Sequence, residues 1–189
     1  SCRLDGKAFA ITASGRDYLT LTEEEIVRVD MEDLSYEGQV KPSSELKIHR
    51  AVYCMKKDAA FVIHTHQDWA SAVSAMGLGQ VSFGESYPLI GNAVVCADYG
   101  LPGTDRLCEN TVKALEISAG QAVILRNHGA LCYGSSYEEA FEAAYALEEA
   151  CGNYLKQLGL GSTREHEPCE KEVAPAVIWN RSPAILQFA

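Results

Sequence analysis

Short apolar runs alternate with amphipathic, helix-capped segments along this chain of 189 residues, and that alternation constrains the fold more than any other feature. A strand that is apolar along its length needs cover on both faces, and an amphipathic helix needs an apolar surface to lie on. An α/β architecture, with helices covering a sheet, satisfies both needs. Ala8–Thr12 reads as a strand ending at the turn Ser14-Gly15, and Thr22 with Glu25 forms a capping box that opens a short helix ahead of the strand-like Ile26–Met31. Gly38 and Pro42 punctuate a loop, after which Ser43 or Ser44 can cap a helix running to about Lys57. Ala59–His66 reads as a buried strand, followed by a helix near Trp69–Met76, a glycine-punctuated stretch containing Tyr87, and a strand at Ala93–Ala97. Pro102-Gly103-Thr104 leads into a helix to about Ser118 that Gly120 ends, and Gln121–Arg126 is a strand running straight into Asn127-His128-Gly129. Ser136 and Glu139 form a second capping box for the longest helix, which ends near Gly159.

The length suits one domain, placed at residues 1–160, with 161–189 a C-terminal extension: a polar linker and a short apolar segment packed as an arm on the same domain. The chain starts at Ser1 without a methionine and ends on the apolar Ile185–Ala189, so further residues are expected before Ser1 and after Ala189. With 47% hydrophobic and 22% charged residues, a packed core is expected rather than disorder. The excess of 26 Asp+Glu over 16 Lys+Arg gives a formal charge of −10, which opposes generic binding to nucleic acid or to an anionic membrane surface. No apolar run approaches the roughly 18–20 residues of a membrane span, and no signal or transit segment is seen, so the expected setting is the cytoplasm. Seven cysteines are an odd number and none forms a C-x-x-C pair. Buried reduced thiols are therefore expected, not a disulfide framework or a cysteine zinc site.

His64 and His66 are separated by Thr65 at the end of an apolar strand. Residues i and i+2 of a strand share a face with Cα atoms roughly 6.7 Å apart, so two imidazoles placed in this way can converge on one ion above the sheet. His128 also follows an apolar strand and precedes Gly129, whose freedom permits a sharp turn or a close backbone approach. Three histidines without a cysteine pair point to a catalytic divalent site with an open position, zinc being the first choice and manganese or cobalt the others. The same spacing equally suits a hydrogen-bonded pair of histidines at a strand end. His49 is read as helix surface and His166 as part of the tail.

Taken together, Lys41-Pro42-Ser43-Ser44-Glu45, then His49, Ala51 and Tyr53, then His64-Thr65-His66 and Ala70, resemble the class II aldolase/adducin family. Ile11-Thr12-Ala13-Ser14-Gly15 is similar to that family's I-T-P-S-G turn, and Asn127-His128-Gly129 to its third ligand motif. The match is collinear from Ser1 to about Leu158. It implies a three-layer αβα sandwich around a mixed, mostly antiparallel sheet. It also implies one Zn2+ per subunit held by His64, His66 and His128, with Glu45 as acid/base and sometimes a fourth ligand. The reaction so implied is carbon–carbon bond cleavage or formation in a sugar phosphate, as in L-fuculose-phosphate aldolase, through a metal-stabilised enediolate. Phosphate would be held by Ser14, Gly15, Ser43, Ser44 and the backbone N–H groups of the helix start, so a chain of charge −10 needs no lysine for it. Tyr87 is the candidate proton donor by resemblance to the aldolase branch, although a packing tyrosine fits the position equally well. Cyclic homotetramers with active sites between subunits are common in the family.

Each residue also has a plainer reading. Glu45 suits a solvated first turn, Ser14-Gly15 a simple turn, and Ser43-Ser44 a helix cap. The chain departs from the family pattern at Ala13, where proline is usual, at Gln67, where serine is common, and at Trp179–Phe188, which is unlike the aldolase tail. The family's glycine–asparagine ahead of Ser1 is absent from this sequence. A pentulose-phosphate 4-epimerase or a dehydratase on the same scaffold is the alternative enzyme. The glutamate at position 45, where epimerases usually carry aspartate, favours the aldolase. A non-catalytic adducin-like interaction domain is the alternative outside enzymes, opposed by the joint presence of His64, His66, His128 and Glu45.

Overall fold

The structure, a computed structural model, describes residues 1–160, which group into two compact units: one from Ser1 to Leu46, the other from Lys47 onward. The expectations for 161–189, including His166 and Cys169, lie outside the described residues.

The first unit contains strands β1 (Cys2–Arg3), β2 (Ala8–Thr12) and β3 (Ile26–Asp30), ordered β3-β2-β1 with antiparallel pairing. Phe9 pairs with Val29 and Ile11 with Val27, so these four buried side chains share one face of the small sheet. The expected capping box stands before β3: Thr22 N donates to Glu25 Oε2 at 3.1 Å and opens a single 3-10 turn over Glu23–Glu25. Backbone pairing ties the two candidate phosphate turns together. Ala13 bridges Pro42, Ser14 N donates to Lys41 O (2.9 Å) and Ser43 N donates to Thr12 O (2.9 Å).

The second unit holds strands β4 (Phe61–Thr65), β5 (Gln80–Tyr87), β6 (Gly91–Ala97), β7 (Ala122–Leu125) and β8 (Gly129–Gly134), in the order β4-β8-β7-β6-β5. Only β6 and β7 run parallel, so the sheet is mixed and mostly antiparallel, as the family resemblance implies. Its helices are α1 (Leu46–Met55), α2 (Asp68–Ser74), α3 (Asp105–Ile117) and α4 (Tyr137–Gln157). Ala122, Ile124, Ala130 and Cys132 join the core under α2 and α4. Their strand neighbours Val123, Leu125 and Leu131 are equally buried but point the opposite way, since side chains alternate along a strand. Helix α3 packs on β6 and β7, and covered sheet faces with helices about them make the three layers.

Several element ends follow from the capping residues read in the sequence. Thr104 accepts from Leu107 N, Ser136 accepts from Glu139 N, and Gly159 ends α4 at φ +72°. In the second capping box, Glu139 reaches past Ser136 and receives the N–H of Ser135. Three strands escape the sequence reading. β1 has only two residues, and β8 follows directly on a turn at Asn127 (φ +53°). The alternation of Val81 and Phe83 in β5 breaks at Gly84, where the hairpin with β6 shifts register.

Two expectations need correction. His49 is buried, not surface, because it lies on the apolar stripe of α1 with Ile48, Val52 and Tyr53. Burial pushes its imidazole well below the usual range. Cys54 is exposed, while Cys2, Cys96, Cys132 and Cys151 are the buried free thiols expected. Burial lifts Cys96 to about 11 and Cys132 to about 12, so neither is a nucleophile at neutral pH. Among the described residues no helix is long and apolar enough to cross a membrane.

Candidate active site

Three imidazoles converge in the second unit. β4 pairs antiparallel with β8, which places His64 opposite Leu131 and Thr65 opposite Ala130. His64 Nε2 lies 3.1 Å from His66 Nε2 and 3.2 Å from His128 Nε2, and all three ligand atoms fall within 4.8 Å of one another. Nitrogens bound at about 2.0–2.1 Å to one tetrahedral ion would stand roughly 3.3–3.4 Å apart. The rings are therefore gathered at nearly the spacing one cation requires.

The tautomer of His64 is set by its other nitrogen. His64 Nδ1 lies 2.9 Å from Ala130 O, and a carbonyl only accepts, so Nδ1 carries the proton and Nε2 presents its lone pair. Burial pushes the His64 imidazole down to about 4; the Ala130 carbonyl works in the other direction, and His128 and His66 lower it further. Burial first, then His66, also lowers His128. Imidazoles held neutral, as at His64 and His128, are the form a divalent ion needs.

Gly129 makes the gathering possible. A Cβ there would overlap the Thr65 carbonyl oxygen and sit 2.7 Å from His66 Cδ2, so only glycine lets β8 start this close to the histidine pair. His128 Nδ1 is buried without a hydrogen-bond partner among the described residues, which leaves this ring without the second-atom anchor that orients His64. The donor set, the separations and the glycine cradle all fit an imidazole-bound divalent cation.

The remaining candidates lie in different places. Ser14, Gly15, Ser43, Ser44 and Glu45 belong to the first unit, where the bridge between Ala13 and Pro42 sets the two turns side by side. Gly15 takes φ +69°, which its lack of a side chain allows. The N–H groups of Ser14 and Ser43 are spent on Lys41 and Thr12, so those two amides are not free to hold a ligand. Ser43 Oγ accepts from Glu45 N at 3.2 Å, which leaves its own hydrogen to donate. Glu45 is only 7% exposed, not the solvated glutamate of the plainer reading, and it directly precedes α1.

Tyr87 closes β5 with its ring in the core, 9% exposed, against Phe83. Its hydroxyl donates to Glu85 Oε1 (2.8 Å) and accepts from Asn153 Nδ2 (3.0 Å). The structure also shows two residues with no assigned role in the sequence reading, Gln67 and Glu148, which join the histidine-bearing chain to α4. Gln67 is legible only as a departure from the family pattern; Glu148, 79 positions from Trp69, gives no local signal. A cavity of about 690 Å³ lies elsewhere, lined by Asp98, Tyr99, Arg106, Asn110 and Lys113. It holds no histidine, and volume alone does not mark the chemistry.

Comparison with known proteins agrees with the arrangement. The sequence profile of the family described as Class II Aldolase and Adducin N-terminal domain matches residues 1–155. The chain is 33% identical over 158 residues to the L-fuculose phosphate aldolase of Escherichia coli (strain K12), covering 79% of this chain and 69% of that protein. It is 28% identical over 155 residues to the 5-deoxy-D-ribulose 1-phosphate aldolase of Bacillus thuringiensis serovar kurstaki, covering 82% and 72%. Among solved structures, an L-fuculose 1-phosphate aldolase superposes with a TM-score of 0.73 at 30% identity, covering 82% of this chain and 73% of that one. The L-fuculose-1-phosphate aldolase of Thermus thermophilus gives 0.66 at 25% identity, covering 85% of each. By its sequence over residues 1–155 and by its fold, the chain belongs to the class II aldolase and adducin family, and it is a lyase of the aldolase kind.

Proposed function

We propose that the chain is a zinc-dependent aldolase that cleaves or forms a carbon–carbon bond in a sugar phosphate. The observation that carries this reading is the convergence of three Nε2 atoms with the His64 tautomer fixed by Ala130. His64, His66 and His128 would hold the ion. When bound, a divalent cation supplies a Lewis acid that polarises substrate oxygens and stabilises the charge released as the bond breaks.

The chain's own residues supply binding and proton transfer. Ser14 and Ser43 offer hydroxyl donors to a phosphate, and the α1 N-terminus just beyond Ser44 favours negative charge. Glu45 is assigned the proton transfer at the reacting carbon; its burial keeps water from competing for the carboxylate. Tyr87 is assigned to the core rather than to the reaction, since its hydroxyl is already engaged by Glu85 and Asn153. Zinc as the ion and a homotetrameric assembly come with the family resemblance, a cytoplasmic setting with the sequence expectations above, and all three belong to the same proposal.

The test is a coupled assay for dihydroxyacetone phosphate release from a panel of ketose phosphates, run with zinc-loaded protein. Cleavage of at least one member, lost in Glu45→Gln, is the expected result. Products that keep every carbon of the substrate would replace the aldolase with the epimerase or dehydratase.

A further inference from the structure

The three histidines are not held in the same way. His64 is fixed through its own ring, by the bond from Nδ1 to Ala130 O. His66 is exposed, lies just beyond the end of β4, and its ring makes no hydrogen bond among the described residues except the approach to His64. Its aim must come from its backbone.

That backbone is clamped from the opposite face. Side chains alternate along β4, so Thr65 points away from the side that carries His64. Thr65 Oγ1 donates to Gln67 Oε1 at 3.0 Å, and Gln67 Nε2 donates to Ala144 O of α4 at 3.0 Å. A little further on, Glu148 of α4 accepts the N–H of Trp69 on Oε1 (2.8 Å) and that of Ala70 on Oε2 (2.9 Å). Both carboxylate oxygens are thus committed to the first turn of α2. His66 is therefore followed at once by two tethers to one rigid helix of 21 residues, and preceded by Thr65, which joins the first of them. At Gly129 there is no room for a side chain beside the His66 ring, since a Cβ there would stand 2.7 Å from His66 Cδ2.

We propose that Gln67 and Glu148 are positioning residues for the metal centre: by pinning the chain about His66 to α4, they set the direction of the His66 imidazole and hence the affinity for the ion. This rests on the metal-site reading above. The side chains of Gln67 and Glu148 are spent on Thr65, Ala144, Trp69 and Ala70, none of them a histidine of the cluster. Partners that orient metal-bound groups typically contribute 10–100-fold in metal affinity, and a clamp acting through the backbone belongs in that range.

The experiment measures Zn2+ affinity by competition with a chromophoric chelator, together with the visible spectrum of the Co2+-substituted protein, for the full chain and three variants. Glu148→Gln keeps an acceptor for one of the two N–H groups and removes the other. Glu148→Ala removes both. Gln67→Glu is isosteric, keeps an acceptor for Thr65 and loses the donor to Ala144. Zinc affinity should fall in the order wild type, Glu148→Gln, Glu148→Ala, by roughly 10–100-fold at the end of the series. Gln67→Glu should weaken it about tenfold, with a changed Co2+ spectrum in each affected variant. A purely structural role would lower the melting temperature of the metal-free variants while leaving affinity and spectrum at wild-type values, and that result overturns the proposal. Should Glu148→Ala fail to fold, Glu148→Gln and Gln67→Glu decide the matter by the same criterion. Wild-type protein that takes up neither ion overturns the metal-site reading itself, and this inference with it.

Discussion

The histidine cluster of the second unit and the serine turns of the first are built from opposite materials. At the histidines the backbone is spent on β pairing, and the chemistry resides in three ring nitrogens, with His64 Nε2 standing 3.1 and 3.2 Å from the other two. At the turns the backbone also pairs, through Ala13 with Pro42, but it consumes the amides of Ser14 and Ser43 and leaves short hydroxyls as the usable groups. One construction places strong, specific donors where nothing can substitute for them. The other spreads weaker, interchangeable donors over two loops. Substitutions in the first should act abruptly and through the metal; those in the second should act gently and through the substrate.

The sharpest break is His64→Ala. Structural zinc bound by four ligands is worth about 10–16 kcal/mol, so one ligand accounts for roughly 3 kcal/mol or more, and zinc affinity should fall by over ~100-fold. Equilibrium dialysis with metal analysis measures this, and near-stoichiometric zinc in the variant would show that the three rings do not share an ion.

Acid should act next. In the metal-free protein burial holds the His64 imidazole near 4, against 6.5 for a free histidine, and lowers His128 and His49 in the same direction. Between pH 6.5 and 4 the unfolded chain thus binds more protons at these positions than the folded one. Stability is complete above 6.5 and is lost as the pH falls towards 4, on the order of 3 kcal/mol for His64 alone. Melting temperatures of metal-free wild type and His64→Ala across that window test the sign. The variant should show the shallower slope, and parallel slopes would mean that His64 is not held neutral by the fold.

Gly129→Ala probes the cradle rather than a ligand. The added Cβ would collide with the Thr65 carbonyl and with the His66 ring, so either β8 retreats or His66 turns away. Overpacking of this kind costs about 1–3 kcal/mol. Zinc affinity should fall with it, because the atom displaced is part of the ligand's own ring. A loss of stability with unchanged zinc affinity would place the ring outside the metal's reach.

This contrast also explains what the sequence could and could not reveal. The pair His64 and His66 is legible because a strand's period of two is local, and His128 because a glycine follows it at a strand end. Helix ends at Thr104, Ser136 and Gly159 are legible because capping is local too. His49 misleads because its own polarity outweighs the apolar stripe around it: Ile48, Val52 and Tyr53 mark the buried face of α1 at helical spacing, and His49 lies on it. Strand β8 hides behind Asn127-His128-Gly129, where the ligand motif draws attention from the apolar run that follows. Glu148 could not be found at all, since its partners Trp69 and Ala70 are brought to it by the packing of α2 on α4.

Ser43→Ala should have the smallest effect and best separates the two constructions. Ser43 Oγ holds one amide at the entrance to α1, that of Glu45, so its loss should cost about 1 kcal/mol in stability, as for other caps. Its hydroxyl hydrogen is not used in that bond, which makes it available to a phosphate oxygen. A hydrogen bond of that kind is shared among several donors, and losing one should raise KM for a phosphorylated substrate several-fold at most, consistent with about 1 kcal/mol. Zinc affinity should stay at the wild-type value, because the metal's ligands all lie in β4, just beyond it, and before β8. Ser43→Thr, which restores an acceptor and a donor at the same position, should recover both stability and KM. A variant that instead loses zinc along with substrate would show that the two constructions are one, and that the turns hold the metal centre in place rather than the phosphate.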